Sequence, residues 1–225
     1  MKIIKFLALG FYFVLFNAFS ETYEVGDGAQ YNLQFKNQNV KLSIYIADKD
    51  SDSLSVEYHF GKSGIFALDM WQQYKLNVSP KGVTVEKGFI KVSPVNPPEI
   101  MEKEHFFNAQ GLQLPSFLFS KEKNIQKYFI NKEIIELAGA SLRTSHYQKE
   151  QDGHVVDFWI SEEVKPVGLV KLISKSKKQK FNNYQIEITN LLKNVAAAID
   201  PSQAMKMSSD TKMKLDASQK MSGAK

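Results

Sequence analysis

The sequence predicts a mainly β fold of the α+β class: a single strongly curved antiparallel sheet, a half-barrel of about nine or ten strands, covered by one or two short helices. Three observations carry that prediction. Apolar residues recur at every second position in run after run, the runs are joined by short polar turn sequences, and only two stretches have helical character.

Residues 1–20 precede the fold. Lys2 and Lys5 give a basic start, Phe6 to Phe16 is an apolar run of 11, and Ala18-Phe19-Ser20 places small residues where a signal peptidase reads, before Glu21. The run is too short for the roughly 20 residues that span a bilayer, so a cleaved secretory signal is expected and the product is placed in the periplasm or outside the cell. From Ala29 the alternation begins with Ala29, Tyr31, Leu33 and Phe35 on one side and Gln30, Asn32, Gln34 and Lys36 on the other. It returns as Val40, Leu42, Ile44 and Ile46, then as Leu54, Val56, Tyr58 and Phe60 against Ser55, Glu57 and His59. Phe66, Leu68, Met70, Tyr74 and Leu76 continue it, faced by Asp69, Gln73, Lys75 and Asn77. The connectors are turn chemistry, from Lys36-Asn37-Gln38-Asn39 to Ser79-Pro80-Lys81-Gly82. One-faced strands in succession make a meander with one wet and one dry face.

Val83 to Val92 extends the sheet, and the three prolines of residues 93–98 end it because they lack donors. Glu99 to Phe107, after a Pro-Pro start and with acids in its first turn, reads as a short helix, and Ser116 to Phe129 as a second helical candidate. Strands resume at Glu133 to Ala138, Ser141 to Gln148, His154 to Ser161, Leu169 to Ser174 and Tyr184 to Thr189.

An apolar sheet face cannot be left in water, since each large side chain exposed there forgoes about 1.5 to 3 kcal/mol. The two helical segments and the curvature of the sheet are the available cover. Incomplete cover leaves an apolar cavity, whose expected lining is Leu33, Phe35, Leu42, Ile44, Val56, Tyr58, Leu68 and Met70.

Residues 131–199 resemble the periplasmic lipoprotein-carrier superfamily of LolA/LppX type. The matching positions are Ala138-Gly139-Ala140, His146-Tyr147, Asp157-Phe158-Trp159-Ile160-Ser161, Pro166 and Gly168-Leu169-Val170-Lys171, with Tyr23 to Asp27 similar to the family's opening and Leu191 to Ile199 to its close. The pattern departs at Leu137 and Leu142, and residues 65–127 match nothing in it. The resemblance implies a half-barrel that holds a lipid or the acyl chain of a lipoprotein, in transient contact with an envelope membrane. On the residues alone, Gly139 suits a bend, Lys149 to Gly153 closes a hairpin, and Trp159 is expected to pack beneath a covering segment.

Three constellations have the residue types of a chemical site. Asp48, Asp50 and Asp52 imitate a calcium loop, but Ser53 stands in place of the required Gly and His59 in place of the bidentate Glu, so a solvated acidic turn is expected. His146, His154 and Asp157 offer N,N,O ligands on two arms of one hairpin, and a one-residue change of register decides whether they share a face; no metal is expected. Lys171, Lys175, Lys177, Lys178 and Lys180 cluster near a hairpin tip, either as a solvated turn or as a surface for anionic lipids. The common phosphate-loop, nucleophile-elbow and zinc-helix signatures are absent, so neither an enzyme nor a cofactor is expected.

Composition narrows the classes further. The chain has no Cys, which excludes thiolate chemistry, Cys-ligated metals and lipobox acylation. Its net charge of +5 lies in the first 20 residues and in residues 201–225, leaving residues 21–200 neutral, and Arg143 is the one arginine, so nucleic-acid binding is not expected. Residues 201–225 hold four Met, five Lys and five Ser without an aromatic, which predicts a disordered tail, leaving 21–200 as the folded domain. The function expected is that of a secreted, monomeric, non-enzymatic binding or carrier protein for an apolar ligand. The alternative is a structural envelope module with a packed core and functional surface loops.

Overall fold

The computed structural model describes residues 23–35, 38–62, 69–79, 82–106, 108–109, 112–113, 125–137, 139–151, 153–177 and 183–222. The expected signal segment lies outside them. The alternating runs become β1 (Gly28–Phe35), β2 (Gln38–Lys49), β3 (Ser53–Phe60), β4 (Met70–Ser79) and β5 (Gly82–Val92), and later β9 (Phe129–Leu137), β10 (Ala140–Gln151), β11 (His154–Ile160), β12 (Leu169–Ser176) and β13 (Tyr184–Leu192). Between and after them, among the described residues, lie the two-residue strands β6 (Glu99–Ile100), β7 (Asn108–Ala109), β8 (Leu112–Gln113) and β14 (Met205–Lys206), and the α-helix α1 (Ser209–Ser222).

Twelve strands form one curled, open sheet in the order β14-β6-β5-β4-β3-β2-β1-β13-β12-β11-β10-β9, while β7 and β8 pair only with each other. Two meanders are thus joined where β1 meets β13. All neighbours in the large sheet are antiparallel except β14 on β6. The register aligns the apolar faces of both meanders into one: Tyr147, Phe158, Leu172, Ile186, Leu33 and Val40 stand opposite one another in a row across six strands. All six belong to a single contiguous core. Gly139, at φ +87°, supplies the left-handed turn that reverses β9 into β10.

The sheet has more strands than the nine or ten expected, because β6 and β14 extend one edge by two residues each. The short helix expected from Glu99 is not an α-helix in its described part, residues 99–106. Glu99 and Ile100 pair with β5 on one side and β14 on the other, which commits their backbone groups to the sheet, and only Lys103–His105 forms a 3-10 turn. In the second helical candidate the described part is a 3-10 turn, Ile125–Tyr128, and Phe129 already opens β9.

The structure also differs from the expected disordered tail. Pro201–Gln203 is a 3-10 turn, β14 follows, and α1 buries Thr211 and Leu215. After β13 the chain crosses the polar face of the first meander. There Val195 N donates to Gly26 O, Ala198 and Ile199 N donate to the Glu57 carboxylate, and Lys91 Nζ donates to Ala198 O. It then joins the edge through β14 and sets α1 against residues 99–106, so the C-terminal segment clasps one edge of the sheet.

Candidate functional site

The apolar face of the sheet brings together six of the eight residues expected to line a cavity. Leu33, Leu42, Ile44, Val56, Tyr58 and Met70 lie in one cluster, each 0–3% exposed. Phe35 contributes its backbone to pairs with Tyr184 and Gln38, and Leu68 lies outside the described residues. The same face carries polar groups that alternation alone did not single out. Tyr31 Oη donates to Leu169 O at 3.0 Å, and Tyr74 Oη donates to the buried Gln72 Oε1 at 2.9 Å. Tyr58 stands edge-on to Tyr74, their ring centroids 5.8 Å apart. Burial pushes the Tyr31 and Tyr58 phenols well above their ordinary range, so both stay neutral hydroxyls inside an apolar surround.

The cover over this face is formed by segments outside the long strands. Phe106 places its ring against Tyr74 and over Gly88, where a Cβ would come within 2.6 Å of the ring. Gly88 lies opposite Tyr74 in the ladder, so the missing side chain makes the space that Phe106 fills. Beside it His105, fully buried, shares a 2.8 Å hydrogen bond with Asp216 of α1. Lys212 Nζ reaches Glu102 Oε2 at 2.5 Å, and Ser208 N donates to Glu99 Oε2 at 3.0 Å. Ser208 also caps α1, its hydroxyl accepting from Thr211 N. The helix is therefore held by polar side chains of residues 99–105, with Leu215 as its buried apolar contact.

On the opposite face Glu57 is completely buried, although the alternation assigned it to solvent. Its carboxylate accepts from Tyr45 Oη at 2.5 Å, Gln73 Nε2 at 3.0 Å, Ala198 N at 2.9 Å and Ile199 N at 3.1 Å. Four donors offset the desolvation of the charge. Burial, reinforced by Glu57, pushes the Tyr45 phenol up. The local sequence carries no sign of this arrangement, because the covering residues come from the far end of the chain.

Both tryptophans occupy one recurring arrangement. His59 lies opposite Trp71 and stacks on it at 4.5 Å, while its Nε2 is 3.1 Å from Asp69. His146 lies opposite Trp159, stacks at 4.2 Å, and has its Nε2 3.0 Å from Asp157. In each case the carboxylate stands two residues before the Trp, a spacing visible as Asp69-Met70-Trp71 and Asp157-Phe158-Trp159. Trp159 packs against the core as expected, but under His146 rather than under a separate covering segment. It is half-buried, donates its indole N–H to Glu133, and has Lys171 Nζ 5.9 Å from its ring centroid. The registers also separate the N,N,O set. His146 and Asp157 meet, whereas His154 falls on the other face of β11 and bonds Ser174 Oγ at 2.9 Å.

Of the acidic run, Asp48 lies in β2, and in the β2–β3 connection Asp50 accepts from Ser53 Oγ and lies 3.8 Å from Lys75. In the lysine cluster, Lys171 pairs with Glu187 and Lys177 with Glu150, and Lys178 and Lys180 lie outside the described residues. One further group escaped the sequence reading: Glu102, Glu104 and His105 place a possible ligand atom each within 4.8 Å of one another. The Glu102 carboxyl is held below its usual range first by its hydrogen bond from Lys212, so this group serves to dock α1.

No protein-family model and no curated protein matches the chain. Among solved structures it is similar to MucB of Pseudomonas aeruginosa, with a TM-score of 0.39 and 8% identity over 88% of this chain and 62% of that one. It is similar to PNGF-II, at a TM-score of 0.43 and 12% identity over 87% and 34%. A third likeness is to an outer membrane lipoprotein-sorting protein domain from Vibrio parahaemolyticus, at 0.36 and 10% over 83% and 92%. The chain thus spans less than two thirds of the MucB chain and about a third of the PNGF-II chain. Likeness at these scores assigns neither activity nor ligand. Among the described residues, no helix is long and apolar enough to cross a membrane.

Proposed function

We propose that the protein is a secreted, periplasmic binding or carrier protein for an apolar ligand, a lipid or a lipid-modified protein, and that it performs no catalysis. One observation carries the reading: a continuous apolar sheet face is closed by elements that the main ladder does not hold. Phe106 rests on that face against Tyr74 and α1 reaches the core through Leu215, while one His–Asp contact, one Lys–Glu pair and a two-residue parallel ladder tie α1 to residues 99–105. Contacts of this kind open at lower cost than the strands they cover. Displacing them uncovers Tyr74, whose ring meets Tyr58 and whose hydroxyl meets the Gln72 amide, an apolar surface with a few convergent neutral polar groups, which suits a ligand with a long apolar body and a hydrogen-bonding head.

A second reading, a structural envelope module with a filled interior, is favoured by the near-complete burial of the six expected lining residues. Titration with a fluorescent acyl probe separates the two. Carriage predicts saturable uptake by the intact protein and faster uptake by the chain truncated after Asp200, whose cover is reduced. Absence of uptake by both forms overturns carriage and supports the structural role.

A further inference from the structure

The two edges of the twelve-stranded sheet are built differently. One ends on β14 and β6, two residues each, backed by α1. The other ends on β9, a nine-residue strand that pairs with β10 and, among the described residues, is hydrogen-bonded to no other strand, although the curl of the sheet brings β13 near it. Long unpaired edges are templates for further pairing, and proteins ordinarily blunt them. Three of the chain's exposed large apolar residues lie on this strand: Phe129 at 40%, Ile130 at 54% and Ile134 at 64% exposure.

We propose that β9 is a self-association edge, on which a second copy of this chain pairs antiparallel and continues the sheet through a two-fold axis. The occupant follows from the strand's own charges. A two-fold axis perpendicular to a continuing sheet keeps each side chain on its face, so opposed residues must have the same parity and the axis must pass through a residue. Centring on Lys132 or on Glu133 sets like charges directly opposite each other, which is unfavourable. Centring on Ile134 sets Ile134 against its copy and, on the same face, places Lys132 opposite Glu136 twice. Lys132, Ile134 and Glu136 are all exposed. An unrelated extended segment would match this alternation of positive, apolar and negative side chains only by coincidence, whereas a second copy matches it by symmetry. The monomer expected from the sequence gives way to a dimer with one uninterrupted sheet.

The chain has no Cys, so a single introduced cysteine forms a disulfide only between molecules. At the proposed register Ile134→Cys lies directly opposite its copy and should give a linked dimer on mild oxidation of the full chain. Asn131→Cys lies six residues out of step with its own copy, roughly 20 Å along the strand, and should not. Light scattering of the purified protein should give a dimer, Lys132→Glu should shift it to monomer, and adding Glu136→Lys to that variant should restore the dimer, with circular dichroism unchanged throughout. A wild-type protein that stays monomeric at high concentration overturns the proposal, as does a dimer that survives Lys132→Glu, a charge swap that fails to restore it, or equal linking from the two cysteine positions.

Discussion

Glu57 anchors the C-terminal segment to the sheet. A carboxylate with no exposed surface is tolerable because four donors from three parts of the chain converge on it: Tyr45, Gln73, and the backbone of Ala198 and Ile199. Glu57→Ala leaves those buried donors without an acceptor and is expected to cost about 3 kcal/mol, a fall in Tm of roughly 6 to 12 °C, with faster proteolysis of residues 193–204. An unchanged Tm would mean that water reaches the site. The buried phenols supply a second prediction at this scale. Burial raises Tyr23 to about 12, and Tyr31, Tyr45 and Tyr58 are pushed up as well. A phenol whose folded value is raised contributes stability that is fully present below its ordinary value near 10 and is lost as pH rises through the folded value. In an ultraviolet absorbance titration these tyrosines should ionise only as the fold is lost. Reversible ionisation of every tyrosine near pH 10, with circular dichroism unchanged, contradicts this burial.

At the scale of elements, α1 is the test. Removing residues after Asp200 deletes β14 and the buried Thr211 and Leu215, and is expected to lower the Tm by several degrees; Leu215→Ala alone should cost about 2 kcal/mol and raise hydrogen exchange across residues 209–222. An unchanged Tm on truncation would restore the disordered tail that composition predicts. Strands β1 to β4 were legible because apolar residues recur at period two with turn chemistry at their ends, a signal local to each strand. The clasp was not. α1 buries Thr211 and Leu215 one turn apart and is otherwise docked by Ser208, Lys212 and Asp216 on Glu99, Glu102 and His105, over a hundred residues away in sequence. Glu57 was misassigned to solvent for the same reason, since its partners at 198 and 199 lie 141 and 142 residues away. The misread of Glu99–Phe107 shows the competing force: the acids of its first turn look like helix-start residues, yet Glu99 and Glu102 serve α1 and residues 99–100 are held in the sheet.

For the molecule as a whole, the candidate site was legible as a face and not as a site. Alternation identified Leu33, Leu42, Ile44, Val56, Tyr58 and Met70 as sharing a surface, and register brings them together. What covers that surface depends on residues 99–106 and 201–222, whose placement rests on distant polar contacts rather than on periodicity. The half-barrel expected from the resemblance agrees with an open, curled sheet of twelve strands, but architecture does not fix a ligand. The central claim is that this face holds an apolar molecule. Mass spectrometry of an organic extract from natively purified full-length protein tests it most directly: the account predicts a lipid or acylated species in near-stoichiometric amount, absent from extracts of the unfolded and washed protein. Extracts that are consistently empty, from protein that also refuses an acyl probe, would contradict it.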